Sequence, residues 1–275
     1  MTAVTATTTA RRGSVVSDSL VVTWRNLKRV PRIPELAIFA ILQQIMFVLL
    51  FAFVFGGAIQ IEGGAAAYRE FLMPGIFAQT ITFASATVAI GVTDDMAKGI
   101  VDRFRSLPMA RSAFLTGRTV AEIVYQAGIL VVLVLCALAV GWRVRTGPVD
   151  FLLGIGLLLL FAYAMAWVGV WLGMLVPTVE VGQQVAFTVV FPITFISSVF
   201  VPPSTLPEVL QPLAEWNPVS TLAAATRELW GNPNPFVSAD SFPAQHPALV
   251  TLGWIVVIVA VFAPLGVARY RRTSR

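Results

Sequence analysis

The sequence predicts an all-α integral membrane protein with six transmembrane helices. Of its 275 residues, 57% are hydrophobic and only 12% are charged, and the mean hydropathy is +0.82. Soluble globular domains carry about 25% charged residues, so this composition belongs to proteins of the lipid bilayer. Six apolar stretches are each long enough to cross the roughly 30 Å hydrocarbon core of a membrane.

The six predicted spans contain no central charged residue, and the fifth of them is the shortest. Glu122 and Glu180 lie near cytoplasmic ends, and Asp150 begins the fourth span. We predict a disordered Thr- and Ala-rich tail over residues 1–14 and a single transmembrane domain over 15–275. The spans are Leu36–Gly56, Phe71–Gly91, Thr119–Val140, Phe151–Val176, Gln183–Phe200 and Leu249–Val267.

The orientation of the chain follows from the placement of its 19 lysine and arginine residues. With the N-terminus in the cytoplasm, fifteen of the 19 lie on the inner side. Only four then lie outside, namely Arg69, Arg143, Arg145 and Arg227. Because positive residues accumulate in cytoplasmic loops, both termini are predicted to be cytoplasmic.

The segment Val16–Arg29 is predicted to be an amphipathic helix in the inner membrane interface. Its apolar residues recur at helical spacing beside basic residues that suit anionic lipid, with a tryptophan at headgroup depth. Pro31 and Pro34 end it before the first span. The alternative is a plain cytoplasmic lead-in. The apolar set is Val16, Leu20, Trp24 and Leu27.

The cytoplasmic loop Thr93–Arg118 is predicted to contain a short helix with two faces. Thr93 is the expected N-cap, and Pro108 is the expected stop. One face is apolar, with Met96, Ile100, Phe104 and Leu107, and another is charged, with Asp95, Lys98, Asp102 and Arg105. Three carboxylates, those of Asp94, Asp95 and Asp102, would be unfavourable beside anionic lipid, so the helix is predicted to bind a protein partner.

The outer segment Val201–Trp230 is predicted to be a re-entrant helical hairpin. Asn217 followed by Pro218 is a good helix start, and Gly231 is a fitting stop. The segment holds two short apolar helices, neither of which can span the bilayer, and backbone at that depth must be covered by protein. The alternative is an exposed outer loop, which would leave several leucines and Trp216 in water.

Several function classes are excluded or disfavoured by missing motifs. Neither of the two lysines, Lys28 and Lys98, belongs to a P-loop, so we predict that this chain does not hydrolyse ATP. One histidine (His246) and one cysteine (Cys136) give no credible metal site. The lack of ionisable groups inside spans disfavours ion-coupled transport. The net charge of +5 is attributed to topology rather than to nucleic-acid binding.

The run from Asp94 to Met109 resembles the cytoplasmic signature of ABC-2 permeases, and most closely that of the daunorubicin/doxorubicin-resistance subfamily of drug exporters. Met73-Pro74-Gly75-Ile76, at the start of span two, agrees with this resemblance. So does Val201-Pro202-Pro203 followed by Asn217-Pro218-Val219 before the last span. The resemblance covers residues 17–270.

The resemblance implies a permease subunit that exports a hydrophobic or amphipathic cargo such as a drug, antibiotic, polyketide or lipid. It implies a type V exporter architecture, two partner ATPases that bind ATP and magnesium, and a second permease copy or sister permease in a bacterial plasma membrane. The cytoplasmic helix would then be the coupling helix that docks on the ATPase. Its residues are Asp94, Asp95, Lys98, Gly99, Asp102, Arg103, Phe104, Arg105, Leu107 and Pro108.

Polar residues within spans one and two are the candidate cargo path: Gln43, Gln44, Gln79, Thr80 and Thr82. An amide inside a span needs a partner, which a cavity at a permease interface would supply. The alternative is close helix packing through small residues, for which span four offers Gly169 and Gly173. Two other functions stay open: a membrane-embedded lipid-modifying enzyme, which should show convergent His, Asp or Lys groups, and a non-transporting scaffold.

Overall fold

The computed structural model describes residues 14–28, 34–54, 64–105, 113–200, 206–234 and 241–272. Within these ranges all regular structure is helical. In chain order the α-helices are α1 (Val15–Leu27), α2 (Pro34–Leu49), α3 (Gly64–Ala97), α4 (Ile100–Arg105), α5 (Ala113–Val140), α6 (Pro148–Gly173), α7 (Val179–Phe195), α8 (Gln211–Trp216), α9 (Pro218–Leu229), α10 (Phe242–Gln245) and α11 (Pro247–Arg272).

Four helices are long and apolar enough to cross a membrane: α3, α5, α6 and α11. They coincide with predicted spans two, three, four and six. The first predicted span is α2 together with a π-helical turn over Leu50–Val54, and the fifth is α7. Both of these helices are apolar but shorter. An all-helical protein of the membrane class is therefore confirmed.

The start of the predicted cytoplasmic helix is wrong, because α3 continues through Thr93 to Ala97. Thr93 does not cap a helix. Its hydroxyl donates to the Ala89 carbonyl at 3.0 Å and to the Gly173 carbonyl of α6 at 2.9 Å. Helix α3 ends at Ala97, and Gly99 two residues later has a φ of +64°, a left-handed conformation that favours glycine.

Helix α3 is the centre of the protein, and its closest neighbour is α6. A Cβ added to Gly173 would lie 2.5 Å from the Ala89 carbonyl oxygen, and one added to Gly169 would overlap the Ser85 carbonyl. Glycine at these positions lets the two backbones approach. The packing interpretation of Gly169 and Gly173 is confirmed.

The predicted outer pair of short helices is present as α8 and α9. The Asn217 side chain accepts a hydrogen bond from Val219 N at 2.8 Å, and Pro218 takes the first position of α9. Gly231 has a φ of +64° just past its end, as expected for the residue that stops a helix. Helix α9 is buried among α3, α6 and α11, whereas α8 exposes Leu213 and Trp216.

Helix α1 is amphipathic, as predicted, and packs along α5. The Thr23 hydroxyl donates to the Gly117 carbonyl at 2.9 Å, and Val22 is buried beside it. The opposite side exposes Leu20 and Trp24. Lys28 Nζ lies 5.1 Å from the centre of the Trp24 ring, which keeps a cation beside the exposed aromatic group.

Candidate functional site

A cleft of about 410 Å³ lies between α2, α5 and α7, with α3 as its floor. This volume is within the range of about 300–1,000 Å³ that holds small molecules. Polar groups on α2, α3 and α5 line it: Gln43, Gln44, Gln79, Thr80, Thr87, Tyr125 and Gln126. The aromatic lining residues are Phe47, Phe83, Phe187, Phe191 and Phe195.

Four of the five predicted cargo-path residues meet in this cleft, although they come from two helices. Thr80 Oγ1 donates to the Ile76 carbonyl at 2.9 Å and to Gln44 Oε1 at 3.0 Å, which joins α3 to α2. Gln79 is 6% exposed and lines the cleft beside Thr80. Thr82 is not brought to the cleft, because it is on a buried side of α3 and donates to the Ala78 carbonyl at 2.7 Å.

The aromatic wall was missed from the sequence, although its signal was available. Phe187, Phe191 and Phe195 recur every four residues along α7 and therefore share one face. Ring contacts continue from that wall to α2. The centroid distances are 4.2 Å from Phe191 to Phe195, 5.8 Å from Phe195 to Phe200, 4.2 Å from Phe200 to Phe51, and 5.8 Å from Phe51 to Phe47.

At the C-terminal end of α3, Asp95 points inward. It is 1% exposed and forms an ion pair with Arg118 of α5. The prediction that Asp95 lies on an outward charged face is therefore wrong, because a partner on the neighbouring helix holds its carboxylate inside. A Cβ at Gly91 would overlap the Arg118 guanidinium, so this glycine leaves room for the pair.

The other predicted coupling residues are spread over the end of α3, the break at Gly99 and α4. Asp94 accepts from Lys98 Nζ at 2.8 Å near the surface, and Arg103 is exposed on α4. Nothing among the described residues lies within 4 Å of a Cβ added to Gly99. The φ angle of Gly99, and not close packing against those residues, therefore explains why this position is a glycine. Asp102, Phe104 and Arg105 belong to α4, while Leu107 and Pro108 are outside the described residues.

A buried arginine on α9 was also missed from the sequence, which placed Arg227 among the outer charges. Arg227 is 0% exposed, and its Nε donates to the Phe71 carbonyl at 2.8 Å. Its Nη2 donates to the carbonyls of Ser198 at 3.1 Å and Val199 at 3.4 Å. The guanidinium also lies 3.8 Å from the Phe71 ring centroid. Arg227 therefore joins α9, α3 and the turn after α7.

The arrangement of helices agrees with comparisons to known proteins. The profile described as ABC-2 type transporter matches residues 18–229. This chain belongs to the ABC-2 type transporter family. The permease is also 28% identical over 263 residues to the daunorubicin resistance ABC transporter permease protein DrrB1 of Streptomyces coeruleorubidus, a match that covers 96% of this chain and 89% of that protein.

The family assignment confirms the predicted resemblance and the transporter hypothesis. The permease is a multi-pass membrane protein and the transmembrane subunit of an ABC transporter. The family implies an ABC ATPase as its partner. The family assignment favours a transporter subunit over a lipid-modifying enzyme or a scaffold.

Proposed function

We propose that the permease exports a hydrophobic or amphipathic cargo through the cleft, driven by ATP hydrolysis on a separate ABC ATPase. The observation that carries this proposal is the continuity of α3. The same helix forms the floor of the cleft and ends at the segment that resembles the coupling signature. A displacement of α4 by the ATPase would therefore act directly on the wall that contacts cargo.

The proposed topology has six spans, both termini in the cytoplasm, α1 in the inner interface and the outer segment 201–230 re-entrant. The burial of α9 among α3, α6 and α11 supports re-entry, since non-spanning backbone at membrane depth needs protein around it. The exposed apolar side of α1 suits the lipid interface. The membrane is the bacterial plasma membrane.

The proposed assembly contains two permeases, either identical or sisters, and two ATPase subunits that bind ATP and magnesium. The described residues bound the cleft on only part of its circumference, and α7 exposes Phe191 and Phe195 along one edge. A second permease would cover this aromatic edge and complete a cargo chamber.

The coupling step has a physical basis in the Asp95–Arg118 pair. Because it joins the inner ends of α3 and α5, both helices would move together when α4 is displaced. These two helices carry Gln79, Thr80 and Gln126 of the cleft. The cleft would change shape while each helix keeps its own helical conformation.

Docking is tested by co-purifying the permease with its ATPase. Phe104→Ala and Leu107→Ala remove large apolar groups from the proposed coupling face, a change that typically costs about 2–5 kcal/mol in a buried contact. Gly99→Leu forces a side chain into a left-handed backbone, which costs about 1–2 kcal/mol and redirects α4. Each variant is expected to lose ATPase capture and transport. Normal capture and transport in all three would show that this segment is not the coupling element.

The topology is tested by cysteine labelling in intact cells with a membrane-impermeant reagent. Pro148→Cys at the start of α6 is expected to react from outside, and Ala97→Cys at the end of α3 is expected to react only after the membrane is opened. Both positions are exposed in the permease, so burial does not explain a difference. Reaction of Ala97→Cys in sealed cells would contradict the orientation.

The cargo route is tested with Gln79→Leu, which removes a polar group from the cleft and keeps a similar volume. This variant is expected to change the selectivity of export while the basal ATPase activity stays unchanged. Thr82→Val is the matched control on the same helix, because Thr82 does not line the cleft. Equal selectivity profiles for wild type and Gln79→Leu would favour helix packing as the role of this amide.

A further inference from the structure

One wall of the cleft contains a buried amide with an unused hydrogen-bond acceptor. Gln126 on α5 lines the cleft and is 4% exposed. Its Nε2 donates to Glu122 Oε1, one helical turn earlier, at 2.8 Å. Its Oε1 is buried and has no hydrogen-bond partner among the residues that the structure describes.

The bond to Glu122 fixes which way round the amide lies. When Glu122 is ionised, its carboxylate only accepts hydrogen bonds, so the NH₂ group of Gln126 faces Glu122 and the carbonyl oxygen faces the other way. Gln44, on α2, differs because its Oε1 already accepts from Thr80. Gln126 is therefore a residue of the cleft lining whose buried acceptor has no hydrogen-bond partner among the described residues.

An unsatisfied buried acceptor is unfavourable, and a donor that reaches it restores the lost hydrogen bond. We propose that Gln126 is a specificity-determining residue that selects cargo with an O–H or N–H group at the point where the cargo meets α5. The inference rests on the proposed role of the cleft as the cargo route. Glu122 is the positioning residue that keeps the acceptor directed away from itself. The aromatic wall on α7 would hold the apolar part of the same molecule.

The inference is tested by equilibrium binding to the full-length permease in lipid nanodiscs, with empty nanodiscs subtracted. The probes are N-phenyl-1-naphthylamine and its N-methyl derivative, which differ in one N–H group. 2-Naphthol and 2-methoxynaphthalene are a second pair that differs in one O–H group. Wild type is expected to bind the donor member of each pair about 5- to 10-fold more tightly, the effect of one buried hydrogen bond.

Three variants separate the hydrogen bond from general effects of the cleft. Gln126→Leu is expected to bind both members of each pair equally. Glu122→Gln is expected to give an intermediate preference for the donor probes. A glutamine at position 122 both donates and accepts hydrogen bonds, so the Gln126 amide can bind it in either of two orientations related by a 180° rotation. Val124→Ala, on the exposed side of α5, is the control and should behave as wild type.

The two proposals fail in different ways. Phe187→Ala removes a ring from the opposite wall and should weaken every probe about equally if binding occurs in the cleft. If Phe187→Ala weakens the probes but Gln126→Leu keeps the wild-type preference, the role of Gln126 is wrong and the cargo route stands. If no probe binds, or if Phe187→Ala leaves all affinities unchanged, the cargo route fails and the inference fails with it.

Discussion

Arg227→Met is expected to be the most damaging single substitution outside the membrane-spanning helices. Methionine keeps much of the volume but donates no hydrogen bond, so the carbonyls of Phe71 and Ser198 lose the hydrogen bonds that they accept from the Arg227 guanidinium. Hydrogen bonds from a charged group contribute about 1.5–3 kcal/mol each, so the expected loss from these two bonds is about 3–6 kcal/mol. Thermal unfolding of the purified permease in detergent measures it, together with the yield of folded protein.

Arg143→Met is the matched control. Arg143 also donates to backbone carbonyls, those of Leu138 at 2.6 Å and Trp142 at 2.8 Å, but it is exposed. Water replaces its bonds, so the change should be within about 0.5 kcal/mol. If Arg227→Met and Arg143→Met unfold at the same temperature, the buried arginine does not stabilise the outer segment.

Arg118→Met is expected to be the second large effect, because it removes the ion-pair partner of Asp95. Breaking a buried pair from one side costs about 3–5 kcal/mol, since the remaining charge is left in the interior. Lys98→Gln is the control, because the Lys98–Asp94 pair lies near the surface and such pairs contribute less than about 1 kcal/mol. Unfolding temperature and ATPase capture are measured for both variants.

A double variant distinguishes stability from coupling. Asp95→Leu combined with Arg118→Met replaces the pair with apolar groups, which is often neutral or stabilising. The double variant is expected to unfold near the wild-type temperature yet to show weak cargo-stimulated ATP hydrolysis, because α3 and α5 are no longer joined by charge. Normal stimulation in this variant would mean that the pair stabilises the fold and does not transmit the ATPase movement.

Much of the fold was predictable because its causes are local in the sequence. The length and apolarity of the spans follow from the hydrocarbon thickness, and the start of α9 follows from Asn217 and Pro218. The sequence also identified Gln43, Gln44, Gln79 and Thr80, because amides and hydroxyls are rare within spans. Family membership was predictable from the run of residues that begins at Asp94.

Only the tertiary structure decided which of these residues act together. Arg227 and Phe71 are 156 positions apart, and Asp95 and Arg118 are 23 apart, so no local period joins either pair. Thr82 resembled the other polar residues of span two, yet helix packing turned it away from the cleft. Helical periodicity predicts which face of its helix a residue occupies. Which other helix contacts that face depends on how the helices pack around α3. For that reason the amino-acid sequence determined the membrane class and the family, and the packing determined the cleft, the inward turn of Asp95 and the burial of Arg227.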